Sequence, residues 1–117
     1  MELNEIRYDN AVPVEGYGPG FFRVDGKVIE GAMIATGARA RGWVGLEDTA
    51  ALEALAGDVD VIFLGMGADI AHAPRGLRAR LEELGIGVEV MASPAACRTY
   101  NVLLSEGRRV ALAALPV

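Results

Sequence analysis

The residues best suited to chemistry lie in positions 93–109, which read SPAACRTYNVLLSEGRR. This segment carries the only cysteine, Cys97, which is followed directly by Arg98. A thiol in the first turn of a helix and beside an arginine is held closer to its thiolate form, and a thiolate can act as a nucleophile or a redox centre. No base accompanies it, because His72 is the only histidine and lies in a predicted loop. We therefore predict no catalytic residue and favour a protein that is not an enzyme.

The spacing of apolar residues in this segment predicts a helix that buries the thiol. Ser93 suits the N-cap and Pro94 the first helical position, and Gly107 is placed to end the helix. At 100° per residue, an arc of about 120° forms the apolar face and holds Ala96, Cys97, Tyr100, Leu103 and Leu104. We expect an inert thiol in the core and a buried tyrosine whose hydroxyl is hydrogen-bonded.

A second candidate site combines the start of this helix with the ends of two predicted strands. The free N–H groups of a first helical turn bind anions, and the Arg98 side chain leans back toward them. Ligands of α/β sheets bind beyond the carboxyl ends of parallel strands, where glycines let a backbone approach closely. These rules predict a crevice for an anionic small molecule, lined by Gly65, Met66, Gly67, Ser93, Ala95, Ala96 and Arg98. The alternative for Arg98 is a surface ion pair.

A third group of residues fits a contact with another protein. Trp43 lies beside Arg39 and Arg41, and tryptophan and arginine are enriched at binding hot spots. The alternative is that Trp43 covers the edge of the core. Arg108 and Arg109 precede the last predicted strand, so their side chains should point in opposite directions. We expect one of them to pair with Glu106 or a helix C-terminus, and take Arg108 as the one exposed to a partner. The alternative is that they are solvated charges of a turn.

Composition excludes several classes of protein. The 117 residues carry 11 basic and 16 acidic side chains, a formal net charge of −5, which disfavours nucleic-acid binding. One cysteine and one histidine offer no zinc ligand set, and we expect neither a metal nor a cofactor. The first residues, MELNEIRYDN, show no basic segment followed by an apolar run, so we expect no signal peptide. No apolar stretch reaches the roughly 20 residues that span a bilayer. We expect a cytoplasmic protein with no inserted segment, and no pattern fixes its oligomeric state.

The elements that position these residues follow from local signals. Residues 1–20 are predicted to be an irregular arm, and residues 36–45 a loop. Residues 21–24 and 27–34 flank Asp25-Gly26, the strongest short signal of a β-hairpin. Helices are predicted at 48–56 and 74–84, and apolar strands at 58–64, 88–91 and 110–115. A strand, a helix and a strand in succession form a parallel pair with a right-handed crossover, so the prediction is a three-layer α/β domain around a mixed sheet.

Several short motifs together resemble a known family over nearly the whole chain and in matching order. They are GYGPGF at 16–21, VDG at 24–26, Trp43, GMG at 65–67, CRTYN at 97–101, EGRRV at 106–110 and LPV at 115–117. The chain is similar to a small single-domain family that includes mitochondrial respiratory complex I assembly factor 3 and the animal adipogenesis-associated domain protein. It departs from the family at Thr36-Gly37, where members often have a proline, which affects only the conformation of that loop.

The resemblance implies both a fold and a kind of function. The implied fold is one domain over residues 1–117, with a central, largely parallel five-stranded sheet whose last strand is antiparallel, and a separate N-terminal hairpin. The mitochondrial relatives are non-enzymatic assembly factors, and the family offers no catalytic residues to carry over. We favour a binding module with a protein partner that supports the assembly of a respiratory or other membrane-associated complex. The alternative is a protein, or an enzyme, that binds a small anion in the crevice at 65–67 and Ser93.

Overall fold

The structure is a computed structural model that describes residues 11–37 and 39–117. Within these residues, eight strands and three helices are joined by turns and loops. The strands are β1 (Val14–Gly18), β2 (Phe21–Val24), β3 (Lys27–Glu30), β4 (Met33–Thr36), β5 (Ala40–Gly42), β6 (Val61–Met66), β7 (Gly87–Met91) and β8 (Val110–Leu115). The helices are α1 (Ala50–Glu53), α2 (Leu77–Glu83) and α3 (Ser93–Ser105). The first ten residues of the predicted arm lie outside the described residues.

The predicted N-terminal hairpin is confirmed and is part of a three-stranded antiparallel sheet, β1-β2-β3. Asp25 and Gly26 have φ angles of 53° and 73°, as a two-residue type I′ connection requires. The predicted irregular arm is wrong at Val14–Gly18, because these residues pair with β2. Pro19-Gly20 makes the turn between them, and the φ of 80° at Gly20 suits the third position of a type II turn.

The central sheet has five strands in the order β5-β4-β8-β6-β7, which confirms the predicted mixed sheet. β6 is parallel to both β7 and β8, whereas β4 is antiparallel to both β8 and β5. The prediction of an antiparallel last strand is therefore wrong: β4 is the strand that runs against the others. The reason is that α3 returns the chain to the end of the sheet where β7 began, so β8 starts beside the start of β6.

Two strand boundaries also differ from the prediction. Residues 27–34 do not form one strand, because the chain turns at Gly31, whose φ is 79°, and passes from β3 in the small sheet to β4 in the central sheet. The predicted loop at 36–45 contains β5, which pairs with β4. Both differences place the arginines of this region on the edge of the central sheet.

The predicted three layers are confirmed by two separate apolar clusters, one on each face of the central sheet. Residues of β8 alternate between them, as expected of a strand covered on both faces. Ala111 and Ala113 pack in the cluster that holds Leu52 of α1 and Leu81 of α2. The other face of β8 packs against α3 and the small sheet, in a cluster that includes Val14, Phe22, Val24, Ala96, Cys97, Tyr100, Leu104, Val110, Leu112 and Ala114.

The first two helices are shorter than predicted. α1 covers only Ala50–Glu53, although Asp48 does act as a cap, since its carboxylate accepts a hydrogen bond from the N–H of Ala51 at 3.3 Å. α2 begins at Leu77 after Gly76, not at Pro74. Gly76 has a φ of 83°, which does not continue into a helix toward Pro74.

Candidate functional site

The start of α3 is tied to the ends of two strands by one serine. The Ser93 hydroxyl donates a hydrogen bond to the carbonyl of Leu115 at 2.6 Å and accepts one from the N–H of Gly67 at 2.9 Å. The Ser93 N–H also donates to the carbonyl of Gly67 at 2.8 Å. Ser93 therefore does not cap its own helix as predicted. The N-cap is Ala92, and Ser93 joins the carboxyl ends of β6 and β8 instead.

The predicted anion crevice is closed by this same serine. A Cβ added at Gly65 would lie 2.7 Å from Ser93 Oγ and 2.8 Å from Ser93 Cα, so the glycine is there to let α3 pack on β6. Ala96 is fully buried, and its N–H donates to the carbonyl of Ala92 within the helix. Arg98 is exposed on the outside of α3. The space between Gly65 and Ser93 is thus filled by protein atoms.

Cys97 and Tyr100 both point into the core, as the helical spacing predicts. Burial raises the pKa of Cys97 to about 11, although the nearby charge of Arg98 opposes this rise. Burial also raises the pKa of Tyr100. Within the described residues the Tyr100 hydroxyl has no hydrogen-bond partner, so the expected partner is not found there. The reason is that the cluster around the ring is apolar. Neither side chain is placed to react with a ligand at the surface.

Asn101 has a role that the sequence analysis missed. Its amide nitrogen donates to the carbonyl of Val14 at 2.8 Å, and its amide oxygen accepts from the N–H of Val14 at 2.9 Å. A carboxamide carries the same donor and acceptor as a peptide group, so Asn101 pairs with β1 as a neighbouring strand would. The signal was an amide on the polar side of a helix whose other face packs in the core.

A groove of about 820 Å³ opens at the opposite end of the central sheet, where β6 and β8 begin and β4 ends. Its apolar surface comes from both faces of the sheet and from the ends of α1 and α3, through Ile34, Leu55, Val59, Leu104 and Val110. Its charged surface consists of Arg39, Arg41, Arg108, Arg109 and Asp58. We call this feature the arginine groove. Four arginines and one aspartate leave it three net positive charges, on a chain whose net charge is −5.

One of the four arginines holds the local structure. Arg109 Nη2 lies 2.8 Å from Asp60 Oδ1, and its Nη1 donates to the carbonyl of Gly57 at 3.1 Å. The hydrogen bond in this pair lowers the pKa of Asp60 and raises the pKa of Arg109. The expectation that one of Arg108 and Arg109 forms an ion pair is met by Arg109, with Asp60 as its partner and not Glu106. Arg108 is exposed at the rim of the groove.

The structure brings together three of the four residues predicted to contact a partner. Arg39, Arg41 and Arg108 all line the arginine groove and are exposed, and across residues 11–37 and 39–117 none of them forms an ion pair. Trp43 does not join them. It is 6% exposed, packs in the cluster on the α1 face, and donates its indole N–H to the carbonyl of Asp48 at 3.0 Å. The alternative interpretation, a tryptophan covering the core, describes it correctly.

Comparison with known proteins gives a family and a fold. The family model described as "Protein of unknown function (DUF498/DUF598)" matches residues 14–115. An uncharacterized protein of Rhodobacter capsulatus is 52% identical over 117 residues, which are all of this chain and 94% of that protein. NADH dehydrogenase [ubiquinone] 1 alpha subcomplex assembly factor 3 of Danio rerio is 28% identical over 110 residues, covering 88% of this chain and 63% of the relative. The predicted resemblance to the assembly factor is thus confirmed.

A solved structure agrees with the architecture. The crystal structure of an outer membrane protein from Bartonella henselae has a TM-score of 0.81 and 30% identity, covering 93% of this chain and 98% of that one. In the described part of this chain, no helix is long and apolar enough to cross a membrane.

Proposed function

Because this chain belongs to the DUF498/DUF598 family of proteins of unknown function, and is distantly similar to a complex I assembly factor, we propose that it is a non-catalytic binding module. Its partner in this proposal is a protein, and its role is to support the assembly of a respiratory or other membrane-associated complex. The observation that carries the proposal is the convergence of Arg39, Arg41 and Arg108 in one groove.

The composition of the groove favours a protein partner. Its surface combines apolar side chains with arginines at the rim, which is the usual anatomy of a protein interface. Its positive charge is local, whereas nucleic-acid binding calls for a basic footprint on a much larger part of the surface. The one thiol of the chain lies in the core, away from the groove, and its raised pKa keeps it protonated near neutral pH. These features support binding without catalysis.

The contribution of the three arginines to the binding free energy should be that of a few exposed ion pairs. One exposed arginine–carboxylate pair contributes about 0.2–1 kcal/mol. Three such pairs contribute roughly 0.6–3 kcal/mol, which corresponds to about a 3- to 150-fold change in affinity. Because the charges are exposed, this contribution should weaken as the salt concentration rises.

The test is a comparison of two charge-matched variants in affinity purification from the native organism, read by quantitative mass spectrometry. The groove variant carries Arg39→Gln, Arg41→Gln and Arg108→Gln, since glutamine keeps part of the apolar stem. The control variant carries Arg23→Gln, Lys27→Gln and Arg75→Gln, three exposed positions outside the groove. We expect the groove variant to recover at least threefold less of the partner and the control to retain it. Equal recovery by both variants contradicts the proposal.

We also propose that the protein works in the cytoplasm, at the surface of the complex that it helps to assemble. Cell fractionation tests this location. We expect the chain in the soluble fraction, and we expect a salt wash to release any chain that is bound to membranes. A chain that stays in the outer membrane fraction after a high-salt wash contradicts it.

The alternative function, binding of a small anion between Gly65 and Ser93, has lost its main support because Ser93 fills that space. A small anion would find better partners in the arginine groove. Thermal-shift measurements with phosphate and carboxylate compounds test this alternative. Stabilisation that the groove variant abolishes and Arg98→Gln leaves intact would favour a small ligand in the groove over a protein partner.

A further inference from the structure

Among the described residues, β5 forms one edge of the central sheet and pairs only with β4. The hydrogen bonds around it show which residues face that neighbour. Arg39 exchanges two backbone hydrogen bonds with Thr36, at 2.8 and 3.2 Å, and the N–H of Trp43 donates to the carbonyl of Ala32 at 2.8 Å. Residues of an antiparallel strand alternate between the two sides, so the N–H and C=O groups of Ala40 and Gly42 point away from β4.

This outer side is open to a further strand. β3 passes near β5 but belongs to the small sheet, and within the described residues no strand pairs with this side of β5. Gly42 is exposed to solvent. An open edge with unpaired backbone groups is a template for an extended segment of another chain.

The arginines decide which segment this edge accepts. Arg39 and Arg41 are two residues apart, so their side chains lie on one face of β5, and both line the arginine groove. Charged side chains on an edge strand deter pairing with an ordinary apolar strand. A strand that brings carboxylates opposite these arginines forms favourable cross-strand pairs instead. The edge is therefore selective for negative charge at every second position.

We propose that the arginine groove binds an acidic, extended segment of the partner protein, which adds to the central sheet as a sixth strand, antiparallel to β5. The proposal rests on the proposed function and specifies the chemistry of its partner. Carboxylates at alternate positions of the segment face Arg39 and Arg41. The intervening residues lie opposite Ala40 and Gly42 and exchange backbone hydrogen bonds with them.

Fluorescence polarisation with synthetic peptides tests this pairing on the whole chain. The first probe alternates glutamate and threonine over eight residues, and the second has the same composition in blocks, EETTEETT. We expect the alternating peptide to bind about tenfold more tightly, because only its carboxylates all lie on the groove face. Equal binding of the two peptides, or no binding of the alternating one at millimolar concentration, overturns the added strand.

N-methylation of the peptide backbone reports the pairing itself. In the antiparallel arrangement the threonine N–H groups face β5 and the glutamate N–H groups face away. Methylating every threonine nitrogen should therefore abolish binding, whereas methylating every glutamate nitrogen should leave most of it. Loss only with methylated glutamates supports an added strand but overturns the antiparallel direction. If both methylated peptides bind as well as the unmethylated one, no strand is added to the sheet.

A pair of variants at Gly42 gives the same information from the protein side. Gly42→Pro removes the outward N–H but leaves every hydrogen bond between β5 and β4 in place. Gly42→Ala keeps the outward N–H and is the matched control. We expect Gly42→Pro to lower the affinity for the alternating peptide at least fivefold and Gly42→Ala to leave it unchanged. The unfolding midpoints of both variants are measured first to confirm that they fold. If the groove variant loses the native partner while peptide arrangement, N-methylation and Gly42→Pro have no effect, the proposed function stands and the added strand fails. If the groove variant keeps the native partner, the proposed function itself fails.

Discussion

Replacing Ser93 by alanine tests the claim that the start of α3 is an internal connection and not a ligand site. The substitution removes the hydroxyl that accepts from the N–H of Gly67 and donates to the carbonyl of Leu115. It deletes only one oxygen atom, and the space left is smaller than a water molecule needs. Both backbone groups are then left without the partner that the serine supplied.

The size of the effect follows from these two groups. Leaving a buried donor or acceptor unsatisfied costs about 1–3 kcal/mol, and Leu115 is less buried than Gly67. We expect Ser93→Ala to lower the free energy of unfolding by about 2–4 kcal/mol, which for a chain of this length lowers the melting temperature by roughly 8–15 °C.

Urea denaturation followed by circular dichroism measures this change, and an unaltered m value will show that the unfolded state is the same. Ser105→Ala is the matched control, because that exposed hydroxyl bonds only to the carbonyl of Val102 in its own helix. We expect the control to stay within about 0.5 kcal/mol of the wild type. If Ser93→Ala is as mild as Ser105→Ala, the connection described for Ser93 is refuted, and the crevice becomes a candidate site again.

Three further predictions concern the residues that hold α3 in place. Gly65→Ala should destabilise the fold by about 3 kcal/mol or more in urea denaturation, and adding Ser93→Gly should not rescue it, because the Ser93 Cα itself lies 2.8 Å from the new methyl group. Asn101→Ala should cost about 1–3 kcal/mol and speed hydrogen exchange at the Val14 amide by NMR, and an unchanged exchange rate contradicts its pairing with β1. Because the pKa of Cys97 is raised to about 11 in the fold, the unfolded chain loses this proton first as the pH rises above about 9. Stability should therefore fall by about 1.4 kcal/mol per pH unit up to pH 11, relative to a Cys97→Ala variant, and parallel pH profiles of the two proteins would contradict it.

Features with a local cause could be predicted from the sequence. The turn at Asp25-Gly26 and the inward face of α3 follow from spacing within about a dozen residues. The parallel pair of β6 and β7 follows from the order strand, helix, strand along the chain. Cys97 illustrates this best, because helical periodicity alone predicts that its thiol lies in the core, where the structure places it.

Features that depend on distant pairing could not be predicted in this way. The direction of β4 is set by its pairing with β8, and β5 becomes a strand because β4 lies beside it. Ser93 looks like an N-cap when only its own helix is considered. Its hydroxyl bonds instead to two strand ends that the sequence places more than twenty residues away on either side.

The candidate site also has features that local sequence predicts and features that depend on distant pairing. Residue type and neighbourhood predict a contact surface at Arg39, Arg41 and Arg108, and all three line the groove. Their convergence depends on β4 running against β8, which brings the turn after β4 next to the residues that precede β8. The same grounds predict Trp43 at this surface, but Trp43 is buried, because it follows β5 and packs in the cluster on the α1 face of the sheet. The three arginines thus lie together in one groove, whereas Ser93 fills the space predicted for an anion at the other end of the sheet.

Site-specific cross-linking in living cells tests most directly whether the arginine groove is the binding site. A light-activated cross-linking amino acid at Ala54, which is exposed and lines the groove, should capture one protein, and the groove variant should reduce that adduct at least threefold. The same amino acid at Ala79, exposed on α2 and outside the groove, should capture nothing. Capture of the same protein from Ala79, or an adduct at Ala54 that survives loss of the three arginines, would contradict the account.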